Sequence, residues 1–522
     1  MADIIIIQQG RRFEKTVEKG TSVYAAVNLT DGAVIHAPCG GKHTCGKCRV
    51  RAEGALSAVS AEEARFLSGE EITRGIRLAC FALIEGGCVI ETDCNGSADI
   101  LKAGDTRGLD RDGYGAAVDI GTTTVTLQIF DLRTGRSLCT AAELNGQAGF
   151  GADVISRIQY QMDNTIEPLH SAITGQLGRM LRGALEQTGI KAADISAAVV
   201  TGNTTMLHFL CGLDASGIAA APFVPQSLFG TSVPASSVFA TVSADFSVYL
   251  PPCVGAYVGA DITCGMLAAG SGTNAENTIL CDIGTNGEMA LMGADGKLLC
   301  CSTAAGPAFE GASIYQGMMS VNGAINSVKV SGGKIAYTTI GGEPARGMCG
   351  SGLLDATAAF LKLGCIDDSG AVDEDRALEL ALFDEVNGQP ALKLGDSGVL
   401  LTAGDIRKVQ LAKSAIRAGL ETLMSTAGLA PRDIGRLIIA GGFGYHLNKQ
   451  SAADIGMIPA ALLDVSAAGG NTAAMGAALL FDEGLRSGIE ELADKMEELP
   501  LSGSAEFMDY YIEHMMFADN IC

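Results

Sequence analysis

Three observations predict a multidomain chain, α+β at its N-terminal end and α/β beyond. The phrase Asp-Ile-Gly-Thr occurs twice, at Asp119-Ile120-Gly121-Thr122 and at Asp282-Ile283-Gly284-Thr285, each time between apolar runs that read as strands. A second pair of echoes, residues 194–203 and 433–442, reads as a helix end, a buried strand and a glycine turn in both copies. Ahead of this doubled body a glycine-rich loop carries three cysteines spaced C-x5-C-x2-C. The expected organisation is a module over 1–97, a linker over 98–113, two lobes over 114–275 and 276–495, and a tail over 496–522.

In the first module, residues 3–8 and 12–17 read as a hairpin around Gly10. Residues 22–29 read as a helix capped by Thr21 or Ser22. Strands are expected over 49–52 and near 89–92. Between the helix and the first of these lie Cys39, Cys45 and Cys48, and Cys80 follows after 31 intervening residues. Three thiolates in a glycine-rich loop can wrap one side of a small cluster, with backbone N–H groups aimed at the sulfurs. A distant fourth cysteine closes the cage. Zinc stays open, although its usual pattern is two separated C-x2-C knuckles and one is present here. Cys88 and Cys94 read as structural thiols, and His43 as an inert loop side chain or a mild tuner of the cluster. The module resembles a plant/adrenodoxin-type [2Fe–2S] ferredoxin of β-grasp fold. That resemblance implies Cys39, Cys45, Cys48 and Cys80 as ligands of a [2Fe–2S] cluster.

The linker is rich in Gly and Asp and lacks periodicity. Sixteen flexible residues span about 20–25 Å on average and roughly 55 Å fully stretched. In the body, the two echoes are 75 residues apart in the first half and 151 in the second. The second half therefore holds an insertion of about 76 residues, expected to include 347–352 and the acidic stretch 367–385. The small-residue segments 254–261 and 469–478 read as two helices that cross closely and form a hinge between lobes.

A short turn of Gly and Thr offers N–H and hydroxyl donors to phosphate oxygens, and a preceding Asp can hold Mg²⁺ directly or through water. Two copies, each opening one half of a duplication, make a clamp for one polyphosphate. The ordered set resembles the superfamily of acetate and sugar kinases, heat-shock chaperone ATPases and actin, with its duplicated, ribonuclease H-like, two-lobed fold. The resemblance implies a first phosphate motif at Asp119, Gly121, Thr122 and Thr123, and a second at Asp282, Gly284, Thr285 and Asn286. It implies an adenosine motif at Gly441, Gly442 and Phe443. Glu310 and Asp261 each flank a glycine-rich segment and are candidates for activating water, with capping or solvation as the plainer reading. Asn203 reads equally as a cleft residue or a turn residue.

A ferredoxin fused ahead of this ATPase core resembles the reductive activators of corrinoid enzymes. Phrases similar to that family are Ala305-Gly306-Pro307-Ala308-Phe309-Glu310-Gly311-Ala312, Cys349-Gly350-Ser351-Gly352-Leu353, Asp405-Ile406-Arg407-Lys408-Val409-Gln410-Leu411-Ala412-Lys413 and Glu513-His514-Met515-Met516-Phe517. The resemblance implies ATP-dependent return of an electron to the Co(II) corrinoid of a methyltransferase system, restoring Co(I), with an external electron donor. A plant-type cluster sits near roughly −400 mV. Moving one electron about 60 mV uphill costs roughly 1.4 kcal/mol. A nucleotide that favours one conformation by about 5.5 kcal/mol thus offsets roughly 240 mV. The sequence departs from members with an extra domain between the two parts, since a linker alone fits here; a homodimer stays among the expected assemblies.

The net charge of −23 argues against a nucleic-acid or anionic-membrane partner. No run of 18 apolar residues occurs and the first residues lack a basic stretch, so a cytoplasmic protein is expected. Its sixteen cysteines then read as metal ligands and reduced core thiols. The rival readings are a small-molecule kinase with a ferredoxin domain, an ATP-gated donor to another low-potential enzyme such as a radical dehydratase, and a chaperone-like binding module.

Overall fold

The first module is a five-stranded sheet in the order Arg11–Val17, Ala2–Gln8, Ile84–Thr92, Arg49–Leu56, Ile76–Leu78. Along Ala2–Gln8 the side chains of Ala2, Ile4 and Ile6 turn inward on every second residue, as a pleated strand over one core requires. The helix Val23–Asn28 starts at Ser22, whose hydroxyl accepts the Ala25 N–H at 3.1 Å. The computed structural model describes residues 1–522 except 9–10, 31–32, 34, 36, 38–40, 42, 44–45, 93–103, 244, 271–275, 312, 445–446 and 518–522, and leaves the side chains of 443 and 444 undescribed.

The body contains two six-stranded sheets that share a five-strand order, with the sixth strand, Thr231–Pro234 in one and Glu497–Glu498 in the other, on opposite edges. The first runs Thr231–Pro234, Ser247–Leu250, Ile195–Gly202, Tyr114–Ile120, Thr124–Asp131, Ser137–Leu144. The second runs Ser466–Gly470, Ile434–Ala440, Asn277–Ile283, Gly287–Met292, Leu298–Thr303, Glu497–Glu498. In each sheet the hairpin carrying the Asp-Ile-Gly-Thr turn lies centrally, and the strand of the second echo pairs with it in parallel. Strands covered on both faces need continuous apolar runs, and Ala116-Ala117-Val118 and Ile279-Leu280-Cys281 are buried throughout. The insertion supplies two three-stranded sheets and the helix Gly350–Leu363.

Three segments differ from the sequence expectation. Residues 254–259 are not helical: the N–H groups of Val254 and Gly255 both bond the Val258 carbonyl, and the helix Ala260–Ala268 begins beyond. The expected close crossing is nonetheless present, because a Cβ on Gly476 in the helix Thr472–Leu479 would stand 1.9 Å from the Cys264 carbonyl oxygen. The second half of the linker lies on the first lobe. Thr106 and Leu109 N–H groups donate to Gly135 and Leu132 carbonyls, Asp105 accepts from Ser137 N–H, and Arg111 donates to the Phe481 carbonyl. The segment expected as a tail completes the second lobe. Glu497–Glu498 pairs with Leu298–Thr303, and the helix Ala505–Glu513 packs on Ala403–Ala427. Lys413, 1% exposed, donates to the Met516 carbonyl and sits 5.4 Å from the centre of the Phe517 ring. These contacts explain the Glu-His-Met-Met-Phe phrase as packing. Among the described residues no helix is long and apolar enough to cross a membrane.

Candidate functional site

The two hairpin turns face one cleft with a cavity of about 380 Å³, walled by Thr122 and Thr123 on one side and Gly284, Thr285 and Asn286 on the other. Each turn is closed by a backbone bond, Gly121 N–H to the Thr124 carbonyl at 3.0 Å and Gly284 N–H to the Asn286 carbonyl at 2.9 Å. Gly441 has φ +87°, and a Cβ there would meet Asp282 Oδ1 at 2.5 Å. Glycine alone lets this strand end approach the acid so closely. Gly442 has nothing within 4 Å of where a Cβ would stand and faces the same cavity. The Phe443 side chain is among those undescribed.

Four carboxyl groups meet at the cleft. Burial raises Asp119 to about 6, and Asn471 Nδ2, which donates to its Oδ2 at 2.9 Å, holds that rise back. Burial raises Asp261 to about 7, and the charge of Asp119 adds to it. Asp282 is pushed up to about 8 by burial and by Asp261 and Asp119, and Glu288 is raised by burial and by Asp261 and Asp282. The cluster is desolvated and self-repelling, the condition under which a carboxylate gains most from an incoming cation. Among the described residues no three His, Cys, Asp or Glu side chains converge on one metal position.

Glu310 joins the two turns. Its carboxylate accepts the Thr123 hydroxyl at 3.1 Å and the Thr285 hydroxyl at 3.0 and 3.1 Å, one threonine from each lobe. Burial raises its pKa and the two hydroxyls oppose the rise. Asn203 serves both of its expected roles, capping the helix Thr204–Cys211 through Met206 N–H and donating to Thr122 Oγ1 at 3.1 Å.

The sequence reading missed three side chains that shape the first turn. Arg157, fully buried, donates to the carbonyls of Gly151 at 2.9 Å and Thr122 at 2.6 Å. Burial lowers its pKa to about 10, partly offset by Asp153 and Glu310. Asn145 Nδ2 donates to the Gly121 carbonyl at 2.9 Å, and Asn471 holds Asp119 from the far end of the chain. The run Asp153-Val154-Ile155-Ser156 marks a helix start, but an arginine on an amphipathic helix ordinarily reads as a solvated face.

In the first module the Cys48 and Cys80 sulfurs are buried and 3.3 Å apart, and neither is in a disulfide. Cys39, Cys45 and Cys94 lie outside the described residues. Gly41 and Gly46 have φ +79° and +62°, and a Cβ on either would strike the ring of Tyr24 or Phe66 at 2.7 Å. A loop wound this tightly, closing on two buried thiols, suits an iron–sulfur cluster. His43 is tied down: its ring stacks on Phe81 at 4.2 Å between centroids, and Nε2–H donates to the Cys80 carbonyl at 3.0 Å. Cys88 is buried in Ile84–Thr92 with its pKa raised by burial, as a structural thiol should be.

Three known families match stretches of the chain: a 2Fe-2S iron-sulfur cluster binding domain over residues 6–85, the RACo middle region over 114–273, and the C-terminal ASKHA domain of RACo over 276–521. The corrinoid activation enzyme RamQ of Eubacterium limosum is 32% identical over 426 residues, 78% of this chain and 71% of that protein. The [Co(II) methylated amine-specific corrinoid protein] reductase of Methanosarcina barkeri is 26% identical over 432 residues, 76% of each chain. A solved reductive activator for corrinoid,iron-sulfur protein superposes with a TM-score of 0.71 at 31% identity, covering 98% of both chains. With its ferredoxin module, its doubled cleft and these relatives, the chain belongs to the family of reductive activators of corrinoid proteins.

Proposed function

We propose that this protein uses ATP to restore Co(I) in the corrinoid of a methyl-transferring partner, passing on an electron received from an external donor. The observation that carries the proposal is one chain holding both a buried convergent thiol pair in a ferredoxin module and a two-walled cleft floored by protonatable acids. A [2Fe–2S] cluster on Cys39, Cys45, Cys48 and Cys80 supplies a one-electron store. The tight glycines and the His43–Cys80 bond fix the loop that would hold it.

In the cleft, Thr122, Thr123, Gly121, Gly284, Thr285 and Asn286 present hydroxyl and N–H donors to phosphate oxygens. Asp119 and Asp282, buried acids of the same cleft, would hold Mg²⁺ directly or through water, and the ion would offset phosphate charge. Gly441, Gly442 and Phe443 take the adenosine. Glu310 and Asp261, whose carboxyls burial makes more basic, orient water and accept its proton. The setting is a reducing cytoplasm, in keeping with twelve described cysteines that form no disulfide.

The test mixes a Co(II) corrinoid protein with this protein and a reductant, with and without ATP, and follows the corrinoid absorbance. Co(I) is expected with ATP alone among the two conditions; ATP-independent reduction, or none, removes the proposal. Cys39→Ser is expected to abolish the [2Fe–2S] EPR signal and leave ATP binding intact, and Asp282→Ala to do the reverse.

A further inference from the structure

The ferredoxin module does not stand apart from the ATPase body; it lies across the mouth of the cleft and touches both walls. On the first lobe, Tyr24 Oη donates to the Gly149 carbonyl at 3.1 Å. A Cβ on Gly149 would come within 2.7 Å of the Asn28 amide, so the two surfaces are in close contact there. On the second lobe, Lys47 Nζ donates to the carbonyls of Ile314 and Gly317 at 2.8 Å and of Tyr315 at 3.2 Å. Between these anchors Ile35 and Ala37, both buried, form part of the cavity wall opposite the phosphate turns.

Each anchor is wired to a phosphate turn. Gly149 ends the 3₁₀ turn Gly146–Gly149, which starts at Asn145; Asn145 donates its side-chain amide to the Gly121 carbonyl and its N–H to the Thr123 carbonyl. The carbonyls that hold Lys47 belong to the loop that carries Glu310, four residues before Ile314. Asp405 fixes that loop through Tyr315 N–H at 2.8 Å, and Lys408 fixes it through the Ser313 carbonyl. Glu310 itself occupies the Thr123 and Thr285 hydroxyls, two donors that a phosphate would need.

We infer that the cleft mouth is a docking surface for the chain's own ferredoxin module, and that the docked module and bound ATP exclude each other. This rests on the nucleotide reading of the cleft. Phosphate oxygens displace the Glu310 carboxylate from the two threonines. Ile35 and Ala37 stand against the same cavity, so a nucleotide that fills it presses the docked module off its seat. The docked form holds Tyr24, Asn28, Ile35, Ala37 and Lys47 of the module against the body. ATP binding frees this face of the module. No bond is made or broken in this step; ATP binding alone shifts the population.

The test uses full-length, cluster-loaded protein and ATP as the probe. Lys47→Ala and Tyr24→Phe are expected to bind ATP roughly three- to tenfold tighter than the wild type by calorimetry, because docking no longer competes. Their [2Fe–2S] absorbance should be unchanged. Tyr24→Phe keeps the ring and loses the hydroxyl alone, so it serves if Lys47→Ala fails to load its cluster. In the wild type, acetylation of Lys47 followed by mass spectrometry should speed up when ATP is added. Unchanged ATP affinity in both variants, or a Lys47 acetylation rate indifferent to ATP, overturns the inference and leaves the nucleotide reading standing. A wild type that binds no ATP overturns both.

Discussion

Asp119, Asp261 and Asp282 give up their protons near 6, 7 and 8 in the fold, against 3.8 for an ordinary aspartate. The native state thus keeps protons that the unfolded chain releases. Stability is greatest where both states are protonated and falls as pH rises from about 4 to 8. The nucleotide-free protein is expected to lose thermal stability between about pH 5 and pH 8, with Asp282→Asn flattening that fall and Mg²⁺–ATP reversing it in the wild type alone. Scanning calorimetry across that range decides it: parallel curves for wild type and variant sink the idea. The turns were legible in the sequence because an Asp, a glycine and a hydroxyl sit within a few positions in both copies. Arg157, Asn145 and Asn471 were not, since each reaches its turn from another element, and Asn471 bonds Asp119 from 352 positions away.

Among elements, the strand Ile76–Leu78, which leads into the turn bearing Cys80, depends on one buried acid. Glu63, fully buried in the 3₁₀ turn Glu63–Arg65, accepts Arg77 Nε at 3.0 Å, Arg77 Nη2 at 2.9 Å and Leu78 N–H at 2.8 Å. Removing it leaves a buried guanidinium and a strand N–H without their acceptor. Glu63→Ala is expected to cost about 3–5 kcal/mol and to lower the iron bound per chain, read by thermal melts and iron analysis. Full iron content with an unchanged melt would count against that role. Strands were readable where alternation or an unbroken apolar run marked them, as in Ala2–Gln8 and Asn277–Ile283. Residues 254–259 were not, because small residues suit a tight loop as well as a helix, and the choice falls to Val258, whose carbonyl takes two N–H groups at once.

At the scale of the molecule, the duplication and the close crossing of its halves were visible in the sequence, while the residues that touch there were not. The halves meet where Gly476 lies against the Cys264 backbone. Gly476→Val is expected to destabilise the protein by at least about 2 kcal/mol, since backbone rather than a flexible side chain would have to yield. A melting temperature within error of the wild type would show that the crossing is looser than this. The tail was misread for a related reason: strand pairing by Glu497–Glu498 and the seat of Phe517 are contacts with distant parts of the chain.

The linker fixed to the first lobe has a further consequence. With residues 104–113 held there and the sheet of the first module ending at Thr92, the intervening 93–103 can span at most about 40 Å. One ferredoxin module confined to a sphere of that radius is at a local concentration of about 6 mM. A contact with an intrinsic dissociation constant of about 0.7–3 mM is then occupied roughly two-thirds to nine-tenths of the time, however dilute the protein, which matches a three- to tenfold gain in ATP affinity when it is lost. A short leash therefore lets a few hydrogen bonds hold the module, and leaves those bonds weak enough for one small ligand to tip.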